Sequence, residues 1–148
     1  MLGGQLLLGT AMIAITVVLH IGGILGTVAW LRRHPNVRTG RHSYVWAIRM
    51  FVASVLGVFV LHTVEIWLWA GLYMILGEFD DIGRALYFST VTFTTLGYGD
   101  ITLGPRWQVL SGLEAANGII LFGVSTAFIF AVLKYLFEAA GIVGRTGD

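Results

Sequence analysis

The chain has 148 residues, 57% of them hydrophobic and only 11% charged, with a mean hydropathy of +0.84. A soluble domain is nearer half apolar and a quarter charged, so this composition excludes an ordinary water-facing surface and points to a membrane. The net charge of +1 argues against nucleic-acid binding by bulk electrostatics, and the absence of cysteine excludes disulfide frameworks and thiolate chemistry.

The first residues, Met1-Leu2-Gly3-Gly4-Gln5, carry no basic region. The apolar run that follows is too long for the core of a signal peptide, so no cleavable signal is expected. Crossing a bilayer takes about 20 apolar residues. Three stretches meet that length: about Leu6 to Leu31, which contains His20; about Met50 to Leu76, broken by His62 and Glu65; and about Trp107 to Leu136, broken by Glu114 and Asn117. The connector after the first span carries Arg32, Arg33, Arg38, Arg41 and Arg49 with no acid among them, five of the nine basic residues. Such an excess marks a cytoplasmic loop, which puts the N-terminus and the Gly77–Arg106 region outside and the C-terminus inside. A voltage sensor would place arginines at every third position within a span. Only Arg38 and Arg41 have that spacing, and they lie in the loop, so the connector reads as a topology determinant and an anionic-lipid contact. Tyr44, Trp46, Trp67, Trp69 and Tyr73 are expected as interfacial anchors.

Between the second and third spans, Asp80 or Asp81 is a good N-cap for a buried helix of about 10–13 residues reaching Thr94. Such a helix is too short to cross, so it must enter the membrane and turn back. Thr95-Leu96-Gly97-Tyr98-Gly99-Asp100 follows at once. Non-helical backbone at membrane depth is tolerated only where protein buries it or it lines a water-filled cavity. A pore lining is therefore implied.

The segment TTLGYGD resembles the selectivity-filter signature of tetrameric potassium channels, with Leu96 where valine is commonest. The resemblance covers about Met50 to Leu136 and is nearest to small bacterial channels; the first span lies outside it. It implies that backbone carbonyls of Thr95, Leu96, Gly97 and Tyr98, with the Thr95 hydroxyl, coordinate K⁺, and that four copies form one filter. The physical basis is that a dehydrating ion needs successive carbonyls pointing the same way. An ordinary strand alternates them, and Gly97 and Gly99 reach the required positive φ without steric cost. Thr94, at the C-terminal dipole end of the short helix, favours a cation below it.

Some positions depart from the family pattern. A short-helix glutamate that pairs with the aspartate after the filter is Val91 here, and a tryptophan that holds the filter tyrosine is Phe88. Asp100 and Tyr98 therefore need other partners, with the Ser89 or Thr92 hydroxyl or water expected for the purpose. The hinge glycine of the family falls at Ile119, which leaves Gly118 and Gly123 as candidate hinges, with close helix packing the reading preferred for both. Ser125 and Thr126 are expected either to line the cavity or to bond their own helix.

Carboxyl groups inside a span are costly and functional by default. His62, Glu65 and Glu114 form a candidate polar cluster in which at least one carboxyl bonds the short helix or the other span. The cluster is read as a brace for the pore loop, with proton sensing as the alternative. His20 is read as a packing or polar-contact histidine. Glu78, Asp80 and Asp81 either concentrate cations at the outer mouth or form a solvated loop.

The sequence thus predicts an all-α membrane protein of three transmembrane helices, a re-entrant helix and a filter loop, assembled as a homotetramer. Its organisation is a helix and basic connector over residues 1–49, a pore domain over 50–138 and a short tail over 139–148. The expected activity is passive K⁺ conduction, with a non-selective cation channel or a non-conducting regulatory subunit as alternatives. No nucleophile–base pair or metal-ligand spacing appears, so nothing supports an enzyme. K⁺ is the permeant ion, no organic cofactor is implied, and the expected location is a bacterial inner membrane.

Overall fold

The computed structural model describes residues 2–33 and 44–140. Arg38, Arg41 and the end of the C-terminal tail lie outside them. Four helices follow in order: α1 (Leu2–Arg33), α2 (Tyr44–Ile75), α3 (Ile82–Phe93) and α4 (Gln108–Ala139), with no strand among the described residues. α1, α2 and α4 are the three helices long and apolar enough to cross a membrane. Pro105 falls between α3 and α4, where its missing N–H breaks no ladder.

Each long helix has 32 residues and so extends about 48 Å at 1.5 Å per residue, past the roughly 30 Å of hydrocarbon. This explains why the helices outrun the apolar stretches read from the sequence. Arg32 and Arg33 lie in the last turn of α1, and Arg49 lies within α2 rather than in the connector.

Side-chain pairs set the register. Gln5 Oε1 accepts from the Val109 amide, and Asn117 Nδ2 donates to Thr16 Oγ, so α1 runs parallel to α4. His20 pairs with Glu65, and Leu31 packs with Ala47 and Met50, so α1 runs antiparallel to α2. The start of α1 therefore lies at the same end of the bundle as the loop containing α3, and Arg32, Arg33 and Arg49 lie at the other.

The main core forms where α2, α3 and α4 meet, from Trp69, Tyr73, Phe79, Phe88, Phe93, Leu110 and Leu121, with Met12 and Val17 of α1 packed against it. Trp69 and Tyr73 are wholly buried there, which corrects the expectation that they anchor at the interface. Aromatic residues serve both positions, and only the direction each faces decides between them. Trp67, on the other face, is 53% exposed.

Candidate functional site

α3 has 12 residues, within the predicted length, and Asp81 rather than Asp80 caps it by accepting from the Arg84 amide at 3.0 Å. Glu78 is also engaged, accepting from the Gly104 amide at 2.6 Å. Two of the three acids near the mouth therefore hold the loop together.

At its C-terminus α3 ends on Thr94, whose hydroxyl donates to the Thr90 carbonyl at 2.7 Å. The next three amides fold back onto the helix end. Thr95 N–H donates to Thr92 O, and Leu96 and Gly97 N–H both donate to Val91 O, at 2.9–3.1 Å. φ is +60° at Thr95, +55° at Gly97 and +74° at Gly99, while Leu96 and Tyr98 between them keep negative φ. In a uniform strand successive carbonyls point to opposite sides. Alternating the hand at every second residue turns successive peptide planes the same way. Thr95 is the one non-glycine among the described residues with positive φ, a conformation costing on the order of 1–3 kcal/mol that persists only where its surroundings impose it. The sequence signalled Gly97 and Gly99 but not Thr95, because threonine does not ordinarily adopt this region.

The segment 95–100 is open along one side of the chain: Leu96 is 55% and Tyr98 67% exposed. A groove of about 560 Å³ runs beside it, lined by Thr95, Gly97, Gly99 and Asp100 together with Gln108, Ser111 and Ala115 near the start of α4. The partner of Asp100 is Tyr87, which donates to Oδ2 at 2.7 Å; this corrects the expectation of Ser89 or Thr92. One turn of helix separates Tyr87 from Val91, so the tyrosine reaches from the position before the one read as supporting the filter. Its hydrogen bond to Asp100 holds the Tyr87 phenol above the ordinary tyrosine range. Phe88 faces the other way, with its ring centroid 5.3 Å from Tyr73 and 5.4 Å from Phe79.

Ser89 turns instead to Glu114. Its hydroxyl contacts Glu114 Oε1 and the Ile66 carbonyl, while the Tyr73 hydroxyl donates to Glu114 Oε2 at 2.7 Å. Glu114 on α4, wholly buried, thus ties α3 to α2. Glu65 belongs to a second network. Its Oε1 and Oε2 lie 2.8 Å from His20 Nδ1 and 2.9 Å from His62 Nδ1. The Nε2 atoms of His62 and His20 both meet Ser125 Oγ, at 2.9 and 3.1 Å. The predicted trio of His62, Glu65 and Glu114 is therefore divided between two networks, and His20 joins one of them. Ser125 neither lines a cavity nor bonds its own helix, whereas Thr126 does bond its own, donating to Phe122 O. Sequence reading found both carboxyls, placed His62 beside Glu65 and expected a carboxyl to bond the short helix or the other span, as Glu114 does; it did not find Tyr73, Ser89, His20 or Ser125 as the partners. His20 and Ser125 stand 45 or more residues from the groups they meet.

The two candidate hinges differ. A Cβ on Gly118 would lie 2.0 Å from the Phe93 carbonyl oxygen, so α4 approaches the end of α3 through the missing side chain. A Cβ on Gly123 would meet nothing within 4 Å outside its own helix backbone, and α4 continues unbroken through both.

The sequence model of a family described as ion channel matches residues 47–135. A stretch of 62 residues is 32% identical to the potassium voltage-gated channel protein shk-1 of Caenorhabditis elegans. That stretch is 41% of this chain and 12% of the worm protein, so the chain spans only a small part of that relative. No solved structure matches.

Proposed function

Because the chain belongs to the ion channel family, of the potassium-channel pore type, we propose that it conducts K⁺ passively across a membrane as a homotetramer. The observation that carries this reading is the alternation of positive φ at Thr95, Gly97 and Gly99, with the amides of residues 95–97 tied back to α3. This leaves the carbonyls of Thr95, Leu96, Gly97 and Tyr98 to replace the water around a dehydrated ion, with the Thr95 hydroxyl completing the innermost ring. Thr94 ends the helix whose negative dipole end favours the cation, and Asp100 is steadied by Tyr87.

One chain supplies one strand of such a filter. Its non-helical backbone and the exposed Leu96 and Tyr98 need protein on the open side at membrane depth, which four-fold closure provides. Residues 50–138 form the pore domain in this reading, α1 and the basic connector precede it, and residues 139–148 form a tail. The arginines at the connector end face the cytoplasm and anionic lipid, and the start of α1 faces outward, in a bacterial inner membrane. Conduction involves no chemical step and no organic cofactor.

Liposomes containing the purified protein test the proposal. K⁺-driven flux blocked by Ba²⁺, with a reversal potential that follows the K⁺ gradient, is expected. Equal Na⁺ and K⁺ permeation would replace it with a non-selective channel, and absence of flux from a correctly inserted tetramer with a non-conducting subunit. Crosslinking is expected to stop at four copies, and tags at the two termini to label from opposite sides.

A further inference from the structure

We propose that His20, His62 and Glu65 form a buried site for a first-row divalent transition-metal ion such as Zn²⁺, which clamps α1 onto the α2–α4 pair. The three residues come from two helices, are 0%, 7% and 0% exposed, and offer ligand atoms that all lie within 4.8 Å of one another. Two imidazoles and a carboxylate are a known donor set for zinc, with a fourth position left for water.

Hydrogen counting shows what a metal ion would change in this cluster. His20, Glu65, His62 and Ser125 close a ring of four polar contacts, and each contact needs one hydrogen. An ionised Glu65 brings none, each neutral imidazole brings one, and the Ser125 hydroxyl brings one. Three hydrogens leave one of the four contacts open, which a further proton on Glu65 or on a ring would close, as would a metal ion. A metal ion between the two Nδ1 atoms and the carboxylate removes the shortfall. Both imidazoles would then carry their hydrogen on Nε2 and donate to Ser125 Oγ, which has two lone pairs and turns its own hydrogen to another acceptor. That is the usual arrangement around a metal-bound histidine, where an outer partner on the second ring nitrogen fixes the tautomer and the ring orientation.

The spacing agrees. Two imidazoles on one tetrahedral ion, with Zn–N near 2.0–2.1 Å, have ring centroids about 5 Å apart; those of His20 and His62 are 5.1 Å apart. The nitrogen–oxygen separations of 2.8 and 2.9 Å would open by about 0.5 Å to reach the edge of such a tetrahedron. The ion would also offset a carboxylate charge held within a span. Its position is close to the pore machinery. His62 packs on Phe122 with ring centroids 4.4 Å apart, and both rings approach Phe93, the last residue of α3.

The test measures metal in the purified folded protein, in whatever oligomeric state it has, after removal of any affinity tag, and needs no conduction, so it can fail or succeed independently of the K⁺ reading. Protein stripped with a chelator is titrated with Zn²⁺, and with Co²⁺ as a spectroscopic probe. One ion per chain is expected, with intense visible bands of tetrahedral Co²⁺ and a higher melting temperature with Zn²⁺. His62→Gln and Glu65→Gln should lose the bands, and Ser125→Ala should keep the stoichiometry while weakening affinity about 10–100-fold. Glu114→Gln, in the separate network, should bind as the unaltered chain does. Failure of the folded, unaltered protein to bind either ion stoichiometrically would overturn the proposal and leave a protonated ring. Unchanged Co²⁺ bands in both His62→Gln and Glu65→Gln would also overturn it.

Discussion

Gly118 sits so close to the end of α3 that a Cβ on it would lie 2.0 Å from the Phe93 carbonyl oxygen. The contact is with backbone, which cannot swing aside as a flexible side chain would. Phe93 is followed directly by Thr94 and the segment 95–100, so the distance between α4 and that segment is set at this glycine. It is a packing position, as preferred from sequence, and the carbonyl of Phe93 is the reason.

Replacing Gly118 by alanine should therefore cost about 1–3 kcal/mol through overpacking. We expect a lower melting temperature of the assembled protein and faster loss of current. Gly123→Ala, made into open space, should melt within about 0.5 kcal/mol of the original. Equal melting temperatures for the two variants would remove the close approach.

The bond from Tyr73 to Glu114 is buried, and removing one partner of a buried hydrogen bond costs about 1–3 kcal/mol. Tyr73→Phe should destabilise by that order, and Glu114→Gln should preserve assembly while altering filter stability. Because Ser89 shares the carboxylate, Tyr73→Phe and Ser89→Ala should be non-additive in a double-mutant cycle. Strict additivity would mean that the two hydroxyls do not act through Glu114.

Tyr87 holds Asp100 at the end of the filter. Tyr87→Phe should leave assembly intact and change the decay of current under sustained activation. The hydrogen bond raises the folded-state phenol above its unfolded value, so the proton is held more tightly in the folded form. Its contribution is complete below the unfolded value near 10 and declines as pH rises through the folded one. The difference between Tyr87→Phe and the unaltered chain should thus be constant from neutral pH to about 9 and shrink above about 10. A difference that vanishes near neutrality would exclude this bond as its source.

Gly99→Ala places a Cβ at φ +74° and should abolish conduction or selectivity in a protein that still reaches the membrane. Gly97→Ala, at φ +55°, should do the same. A fully K⁺-selective Gly99→Ala channel, judged by reversal potential in mixed K⁺ and Na⁺, would overturn the filter assignment.

The sequence alone determined that the chain enters a membrane, how many long helices it has, and where a short helix meets a Gly-x-Gly segment. These are local properties: runs of apolar residues, an aspartate cap, and glycines whose backbone freedom belongs to the residue itself. The tertiary structure decided which polar groups meet. Helices 32 residues long and apolar on nearly every face carry almost no periodic signal of which side turns inward. Trp69 and Tyr73 could be told from Trp67 only by packing, and Glu65 and Glu114 assigned to different networks only by register. His20 lies 45 residues before Glu65 and 105 before Ser125, and only the antiparallel and parallel pairing of α1 with α2 and α4 brings the three together. Thr95 takes its positive φ for the same kind of reason, since the end of α3, rather than anything in a threonine, imposes it.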